Sequence, residues 1–457
     1  MKITIMDTTL RDGEQTSGVS FTATEKLNIA KVLLGELNVD RIEVASARVS
    51  EGEYQGARKI FTWAKENGHI EKVEVLGFID GDVSLKWIKD AGGKVNNLLT
   101  KGSLKHCQNQ LRKTPEQHIA DIKEVLRLAR EMDIRMNIYF EDWSNGMRNS
   151  PEYMYQMLVA LKDESIERFM LPDTLGILNQ QETYDFCMDM VSRYPELNFD
   201  FHAHNDYDLA TANVFSAIKA GITGIHTTLN GLGERAGNVP LSSVIGVVKD
   251  HFKYEMNVKE DRLYHASKML ESFSGIRIPS NKPLIGENVF TQTSGIHADG
   301  DQKDDLYFND LLPERFGRKR SYALGKMSGK ASILKNLEEL GIELSKEDAR
   351  LVTERVIELG DKKEIITKED LPYIISDVLR SKRVEERIRI RNFQLSVARG
   401  LRSVATVAIE IDCQVYEETA SGDGQYDAFM KALWKIYDKL ERKHPVLTDY
   451  VVSIPPG

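Results

Sequence analysis

Two histidines stand two residues apart in the run NFDFHAHND, and an aspartate precedes them at the same spacing. If this run is a β-strand, Asp200, His202 and His204 share one face, and the two phenylalanines and the alanine between them share the other. Two imidazoles at this spacing can bind the same cation. The pair beside an acid therefore favours a metal site over two buried structural histidines.

Polar residues that suit the same ion lie in two distant runs, DTTLRDGEQ and NGLGERAGN. The first supplies the carboxylate of Asp12 and the permanent positive charge of Arg11, and the second supplies the amide oxygen of Asn238. Glycines in the second run allow its backbone to approach a ligand closely. Two histidines, one aspartate and one asparagine form a mixed nitrogen and oxygen set that suits Zn²⁺, Mn²⁺ or Mg²⁺ and leaves room for substrate oxygens.

The run RMNIYFED places Asn137, Tyr139 and Glu141 on one face of a predicted strand. Tyr139 is a candidate wall of a substrate pocket. Glu141 has two interpretations: an acid–base or orienting residue of the site, or a member of an ion pair inside the fold. Thr174 ends the next predicted strand and can donate its hydroxyl to a substrate carboxylate.

Strand-like and helical segments alternate along the first half of the chain. The predicted strands cover residues 3–10, 41–47, 72–79, 96–100, 135–142, 168–174, 198–206 and 222–231. Helical segments, with apolar residues three and four positions apart, include 22–37, 115–132, 151–163, 181–193 and 208–220. Eight such units predict an α/β fold, the (β/α)₈ TIM barrel, whose active sites lie at the carboxyl ends of the strands. An open doubly wound sheet is the alternative, but no G-x-G-x-x-G run follows the first strand to support its dinucleotide-binding form.

Two further parts follow the predicted barrel of residues 1–258. Residues 259–385 are expected to form a mainly helical linker region that completes the active site, with helices at 260–274, 330–340, 346–359 and 368–379. Residues 386–457 are expected to form part of a small α+β domain, with strands at 393–398, 405–416 and 450–454 and a helix at 423–440. Because the sequence stops directly after the last predicted strand, we expect this β-β-α-β domain to be truncated.

Composition is typical of a globular protein of the reducing cytoplasm. Hydrophobic residues make up 41% and charged residues 29%, and the net charge of −9 leaves no basic surplus for nucleic-acid binding. Three cysteines are too few and too far apart for a disulfide framework or a cysteine-rich zinc site. We expect no membrane partner, because neither a signal peptide nor a run of about 18 apolar residues occurs.

Taken in order, the runs DTTLRDGEQ, HAHND and NGLGERAGN resemble the motifs of the DRE-TIM metallolyase superfamily. Within it, the chain resembles the 2-isopropylmalate, citramalate and homocitrate synthases. The resemblance implies a Claisen-type condensation of acetyl-CoA with a short 2-oxo acid, giving a 2-alkylmalate and CoA in branched-chain amino-acid biosynthesis. It also implies one bound divalent metal ion, whose ligands fall on Asp12, His202, His204 and Asn238.

The same resemblance implies roles for other residues. The arginine that contacts the keto group falls on Arg11, the threonine that binds the carboxylate on Thr174, and the acidic active-site residue on Glu141. The run VFTQTSGIHADGD resembles the linker that one subunit of the family's homodimer places over the partner's active site. Its histidine falls on His297, our candidate for the general base, and a nearby catalytic tyrosine falls on Tyr307. The runs ASGDGQYDAF and YVVSIPPG resemble the first half of the family's regulatory domain.

The choice of 2-oxo acid depends on the residues that surround its side chain. Leu76, Leu99 and Tyr139 lie near the ends of the third, fourth and fifth predicted strands. In the resemblance, large residues at these places are similar to those of citramalate synthases and favour pyruvate. The alternative is 2-oxoisovalerate, the substrate of a 2-isopropylmalate synthase, because one methylene changes binding by only roughly 1–3 kcal/mol. The lack of basic side chains in this pocket disfavours the dicarboxylate of homocitrate synthesis.

Two other classes of protein share parts of this pattern. A lyase or aldolase of the same superfamily, such as one like HMG-CoA lyase, would have the barrel and the metal ligands without the linker and the α+β tail. A non-catalytic metal-binding or amino-acid-sensing protein would bind ligands without turnover. Release of free thiol from acetyl-CoA distinguishes a synthase from both.

Overall fold

The computed structural model describes residues 1–294, 297, 300, 306–362, 366–379 and 388–447. Eight parallel strands close into a barrel in chain order, and the eighth strand pairs with the first. The strands are β1 Thr4–Asp7, β2 Arg41–Ser46, β3 Val73–Gly77, β4 Val95–Lys101, β5 Arg135–Glu141, β6 Arg168–Asp173, β7 Phe199–Ala203 and β8 Gly224–Thr227. The predicted TIM barrel is confirmed.

Helices surround the barrel and connect its strands. They are α1 Ala23–Lys31, α2 Glu51–Glu66, α3 Val83–Ala91, α4 Leu104–Asn109, α5 Pro115–Glu131, α6 Trp143–Asn149, α7 Pro151–Leu161, α8 Gln180–Arg193, α9 Ala210–Lys219 and α10 Leu241–Gly246. Thr22, Thr114 and Asn179 begin α1, α5 and α8 with capping boxes, in which the side chain of the third helical residue bonds back to the capping residue. These caps define where three of the connecting helices begin.

The outer face of the barrel strands is apolar, and charged side chains lie inside the lower barrel. Phe199, Phe201 and Ala203 of β7 belong to the main hydrophobic core, while Asp200 lies inside the barrel with Arg41 and Arg168. Gly224 of β8 makes room for this carboxylate, because a Cβ atom there would lie 1.7 Å from Asp200 Oδ1. A charged layer therefore closes the lower barrel, below the strand ends.

The chain divides into two compact units, Met1–Ala323 and Leu324–Gly457. The first continues past the barrel with α11 Leu263–Ser274 and with two short paired strands, β9 Thr291–Gln292 and β10 Ser321–Tyr322. In the second, the helices α12 Lys330–Glu339, α13 Lys346–Asp361 and α14 Leu371–Leu379 share one small apolar core.

A three-stranded antiparallel sheet and one helix follow in the second unit. They are β11 Ile388–Ser396, β12 Ser403–Ile411, β13 Gln414–Gly422 and α15 Gln425–Lys439. The single strand predicted at 405–416 was wrong. Asp412 and Cys413 adopt φ of 51° and 65°, so the chain turns back there and forms a hairpin, and the alternating pattern concealed the turn. The described tail is thus β-β-β-α, and the strand predicted at 450–454 lies outside the described residues.

None of the helices in the described ranges combines the length and the apolar character needed to cross a membrane.

Candidate functional site

Three side chains from the first and seventh strand ends converge at the barrel mouth. The Nε2 atoms of His202 and His204 lie 3.3 and 3.8 Å from Asp12 Oδ2. One ligand atom from each of the three residues lies within 4.8 Å of the others, and all three side chains are buried. This spacing suits joint binding of one cation by two imidazoles and a carboxylate.

Asn238 joins the cluster because its loop folds back on β7. Its backbone bridges His204 in antiparallel fashion, and its Nδ2 donates to Asp12 Oδ1 at 3.1 Å. Gly233, with φ of 154°, permits this approach, since a Cβ there would lie 2.3 Å from Asn238 Nδ2. The Oδ1 atom of Asn238 is buried and has no hydrogen-bond partner among the described residues. A buried acceptor without a donor beside two imidazoles and a carboxylate fits a divalent cation.

The protonation states also suit a metal ligand set. Burial opposes ionisation of Asp12, but the charge of Arg11 and the contact with His202 hold the pKa of its carboxyl well below the ordinary value. Burial lowers the pKa of His204 to about 4, against the opposing charge of Asp12. At neutral pH the site therefore presents a carboxylate and a neutral imidazole, the forms that bind metals.

Arg11 is held at the mouth by a glutamate that sequence analysis missed. Its Nε donates to Glu43 Oε2 at 2.6 Å, its Nη1 to Asp12 at 3.0 Å and its Nη2 to the Tyr139 hydroxyl at 3.4 Å. Burial would raise the pKa of Glu43, but Arg11 and hydrogen bonds from Asn97 and other donors lower it below its ordinary value. Glu43 lies on the inner face of β2, and an acid in a barrel strand was the available signal.

A cavity of about 330 Å³ opens beside the cluster, a volume within the range of small-molecule sites. Leu76, Leu99 and Tyr139 line it and belong to one small apolar cluster. The predicted residues on the same cavity are Arg11, Asp12, Leu76, Leu99, Tyr139, Glu141, Thr174, His202 and His204. The structure thus brings together the candidate site residues of the barrel, with Asn238 hydrogen-bonded to Asp12.

Glu141 and Thr174 lie on one side of this cavity, each with a partner. Glu141 forms an ion pair with Lys101, which sequence analysis did not single out. Thr174 Oγ1 accepts a hydrogen bond from the backbone N–H of Asp142 at 2.9 Å. The position of Glu141 is therefore compatible with both interpretations, because Glu141 forms an ion pair and also borders the cavity.

His297 and Tyr307 lie apart from this cavity. Their rings contact each other, with centroids 4.2 Å apart, and both side chains are exposed. Tyr307 lines a different cavity of about 360 Å³ beside Phe290 and Arg320. Neither residue is among those that line the mouth cavity of the described chain.

Below the cavity, a third residue that sequence analysis did not single out contacts Tyr139. His226 of β8 places Nδ1 2.8 Å from the Tyr139 hydroxyl and Nε2 3.2 Å from Asp200 Oδ2. Burial lowers the pKa of His226 to about 4 and raises the pKa of Tyr139 well above its ordinary value. The β8 run GIHT is only four residues long, too short for its alternation to indicate which face His226 occupies.

Three family models match successive parts of the chain. A sequence model described as HMGL-like matches residues 2–270, more than half of the chain. The chain belongs to the HMGL-like family. Downstream, a homocitrate synthase post-HMGL domain-like model matches residues 284–364, and a LeuA allosteric (dimerisation) domain model matches residues 365–457.

Full-length relatives place this HMGL-like chain in the synthase branch of the family. It is 35% identical to a putative (R)-citramalate synthase of Methanopyrus kandleri over 94% of this chain and 83% of the relative. It is 33% identical to the (R)-citramalate synthase of Methanocaldococcus jannaschii, over 95% of this chain and 87% of the relative. It is 32% identical to the 2-isopropylmalate synthase of the same organism, over 97% and 85%. The recognised resemblance to these synthases is confirmed.

Solved structures support the barrel fold. An HMG-CoA lyase of Bacillus subtilis superposes with a TM-score of 0.53 at 21% identity, covering 61% of this chain and 96% of the lyase. At this identity the match concerns the fold alone.

Proposed function

We propose that this chain condenses acetyl-CoA with a short 2-oxo acid to give a 2-alkylmalate and free CoA. The observation that carries the proposal is the convergence of Asp12, His202 and His204 beside a small cavity, in a chain related over nearly its full length to synthases of this type. A lyase remains the less favoured candidate, because the linker and dimerisation-domain matches extend well beyond the barrel.

Asp12, His202, His204 and Asn238 would hold the divalent metal ion that enzymes of this family use. When bound, such an ion acts as a Lewis acid toward the keto group of the 2-oxo acid. Arg11 adds a fixed positive charge where the keto oxygen becomes an alkoxide. Glu43 keeps the guanidinium in place through the Nε bond of 2.6 Å.

Thr174 would bind the carboxylate of the 2-oxo acid. Its Oγ1 already accepts a hydrogen bond from Asp142 N, so its hydroxyl hydrogen remains for donation toward the cavity. Glu141, beside it, would orient the substrate or a water molecule while Lys101 balances its charge.

Carbon–carbon bond formation requires a base at the acetyl methyl group. We assign this role to His297, with Tyr307 beside it, both supplied by the partner subunit of a homodimer. The base removes one methyl proton, the resulting enolate attacks the keto carbon, and the keto oxygen is protonated. Water then cleaves the thioester, so that CoA leaves as the free thiol and a new carboxylate forms.

Pyruvate is the 2-oxo acid that the cavity favours. Leu76, Leu99 and Tyr139 line the region where the substrate's side chain would lie and belong to one apolar cluster. A methyl group fits beside these residues more readily than the isopropyl group of 2-oxoisovalerate. The latter remains the alternative, because relatives of both names are similarly distant.

The test is thiol release from acetyl-CoA, measured with pyruvate, 2-oxobutanoate, 2-oxoisovalerate and 2-oxoglutarate in turn. We expect turnover with the highest kcat/KM on pyruvate, loss of turnover after metal chelation, and its recovery on adding Zn²⁺, Mn²⁺ or Mg²⁺. Asp12→Ala and His202→Ala should abolish turnover with an unchanged circular dichroism spectrum, whereas Asp185→Ala on the exposed face of α8 should not. No thiol release with any of the four acids, or full activity in the metal-stripped protein, would refute the proposal.

A further inference from the structure

A chain of three buried side chains runs down from the cavity into the lower barrel. The Tyr139 hydroxyl lies 2.8 Å from His226 Nδ1, and His226 Nε2 lies 3.2 Å from Asp200 Oδ2. His226 and Asp200 are at most 1% exposed, and Tyr139 is 3% exposed. Nothing in the proposed chemistry uses His226, yet its hydrogen bond to the hydroxyl of the pocket tyrosine is shorter than the one from Arg11.

The charges around Asp200 determine the direction of these hydrogen bonds. Asp200 pairs with both Arg41 and Arg168, and Arg41 also pairs with Glu74 at 3.0 Å. Two guanidinium groups already balance two carboxylates, so a proton added to His226 would place an uncompensated charge in a buried layer. A neutral His226 carries its hydrogen on Nε2, where Asp200 accepts it, and leaves the Nδ1 lone pair for the tyrosine.

The hydroxyl of Tyr139 must then donate downward, to His226. Its oxygen accepts a hydrogen bond from Arg11 Nη2, 3.4 Å away. This arrangement holds the ring at its far end, while Leu76, Leu99, Met6 and Met170 pack against its sides. The ring is therefore held by the hydrogen bond that its hydroxyl donates to His226, by the longer one that the hydroxyl accepts from Arg11, and by packing contacts that define its rotation less strictly.

We infer that His226 is a positioning residue that anchors Tyr139 and thereby sets the size of 2-oxo acid that the cavity accepts. This inference rests on the proposed synthase function. Without the acceptor at Nδ1, the hydroxyl hydrogen loses its buried acceptor while the longer bond from Arg11 Nη2 remains, and the ring turns to give the hydroxyl hydrogen another acceptor. Space then opens beside Leu76 and Leu99 for a larger substrate side chain.

The central test compares His226→Leu, His226→Asn, Tyr139→Phe and the His226→Leu/Tyr139→Phe double variant. We expect His226→Leu to raise the ratio of kcat/KM for 2-oxobutanoate to that for pyruvate by roughly tenfold or more, the effect of one methylene in an apolar pocket. His226→Asn, whose Oδ1 can replace Nδ1 as acceptor, should retain most of the wild-type ratio. Because His226 acts through the hydroxyl, the double variant should show the same ratio as Tyr139→Phe alone.

Thr227→Val is the matched control for disturbance of β8. Thr227 is buried and directly follows His226, but its hydroxyl faces Asp7, 3.5 Å away, on the other side of the strand. Its ratio should equal that of the wild type. A general loosening of the barrel would instead change the substrate ratios of Thr227→Val and His226→Leu together, and that result would contradict the inference.

Imidazole ¹⁵N chemical shifts provide a readout that requires neither turnover nor the His226→Leu variant. In the wild type we expect the signals of one buried histidine with a protonated Nε2 and an unprotonated Nδ1. These signals are assigned to His226 by their absence from the spectrum of His226→Asn. The opposite tautomer, an unchanged substrate ratio in an active His226→Leu enzyme, or additive effects in the double variant would each overturn the inference. If the wild type releases no thiol with any 2-oxo acid, the proposed function has failed instead.

Discussion

At the residue scale, the site depends on side chains that hold other side chains. Arg11 borders the cavity, and Glu43 accepts its Nε hydrogen bond from inside the barrel. Glu43 in turn accepts hydrogen bonds from Thr8 and Asn97, each at 2.8 Å. A guanidinium held at both ends adds positive charge at the keto oxygen without first having to reorganise.

Glu43→Gln should therefore lower kcat/KM by a factor on the order of 100, because Arg11 loses the charge that orients it. Glu53→Gln is the control, since Glu53 pairs with the buried Lys26 away from the cavity. Steady-state kinetics of thiol release measure both variants. Equal activity of Glu43→Gln and the wild type would show that Arg11 needs no support from Glu43.

His118 provides a prediction about pH and stability. It is fully buried, its Nε2 accepts the backbone N–H of Lys101 at 3.1 Å, and burial lowers its pKa to about 4. Lys113 and Lys101 add to this lowering, while Asp121 opposes it. The unfolded chain, with an ordinary histidine pKa of about 6.5, binds the proton first, so stability must fall as the pH drops from about 6.5 to about 4.

Protonation of His118 should lower the free energy of unfolding by roughly 3 kcal/mol, and this loss should level off below pH 4. His118→Gln, which retains an acceptor but does not titrate, should lose correspondingly less stability over the same interval. Urea unfolding at pH 7.5, 5.5 and 4.5 measures the difference. Parallel curves for the two proteins would contradict the assignment.

At the element scale, the strand ends bring together residues that are distant in the chain. β1 and β7 deliver Asp12 and the two histidines to one level, and the loop after β8 bridges back to His204 with Asn238. The strands can occupy this register only if the charged side chains of Asp200, Arg41 and Arg168 fit inside the barrel below the strand ends. Gly224 is the position where the fit is closest.

Gly224→Ala should destabilise the protein by about 3 kcal/mol or more, because its Cβ would lie 1.7 Å from Asp200 Oδ1 and displace a carboxylate paired with two arginines. Gly35→Ala is the matched control, since nothing lies within 4 Å of a Cβ at that position. The urea concentration at the unfolding midpoint of each variant measures this destabilisation. An unshifted midpoint for Gly224→Ala would mean that Asp200 can move without cost.

At the scale of the whole molecule, the chain joins a barrel to regions that match a homocitrate synthase post-HMGL domain-like model and a LeuA allosteric (dimerisation) domain model. His297 and Tyr307 contact each other but do not line the mouth cavity of their own chain. We therefore propose that each active site combines the barrel of one subunit with the linker of its partner.

Mixing two inactive variants tests this proposal. Asp12→Ala disables the barrel and His297→Ala the linker, so each homodimer should be inactive. After unfolding and refolding together, half of the dimers pair one chain of each kind, and each of these has one intact site, so activity should recover to roughly a quarter of the wild-type value. Recovery near zero, with mixed dimers verified by affinity tags, would place both residues in the same subunit's site.

The sequence by itself determined the barrel and the residues at its mouth. Strand alternation requires His202 and His204 to share one face, and eight strand–helix units require their carboxyl ends to meet. These are short-range rules, and they were sufficient for the cluster of Asp12, His202 and His204. The same kind of rule failed at Asp412 and Cys413, where two residues with positive φ turned one predicted strand into a hairpin.

Only the tertiary structure decided which side chains support that cluster. Glu43, Lys101 and His226 carry no motif, and each acquires its place by meeting a side chain that is distant in the sequence. Such contacts depend on strand register and on the three-dimensional distance between side chains, neither of which is encoded in local spacing. The chemistry was visible in the residue types, whereas the groups that hold it in position became visible only when the barrel closed.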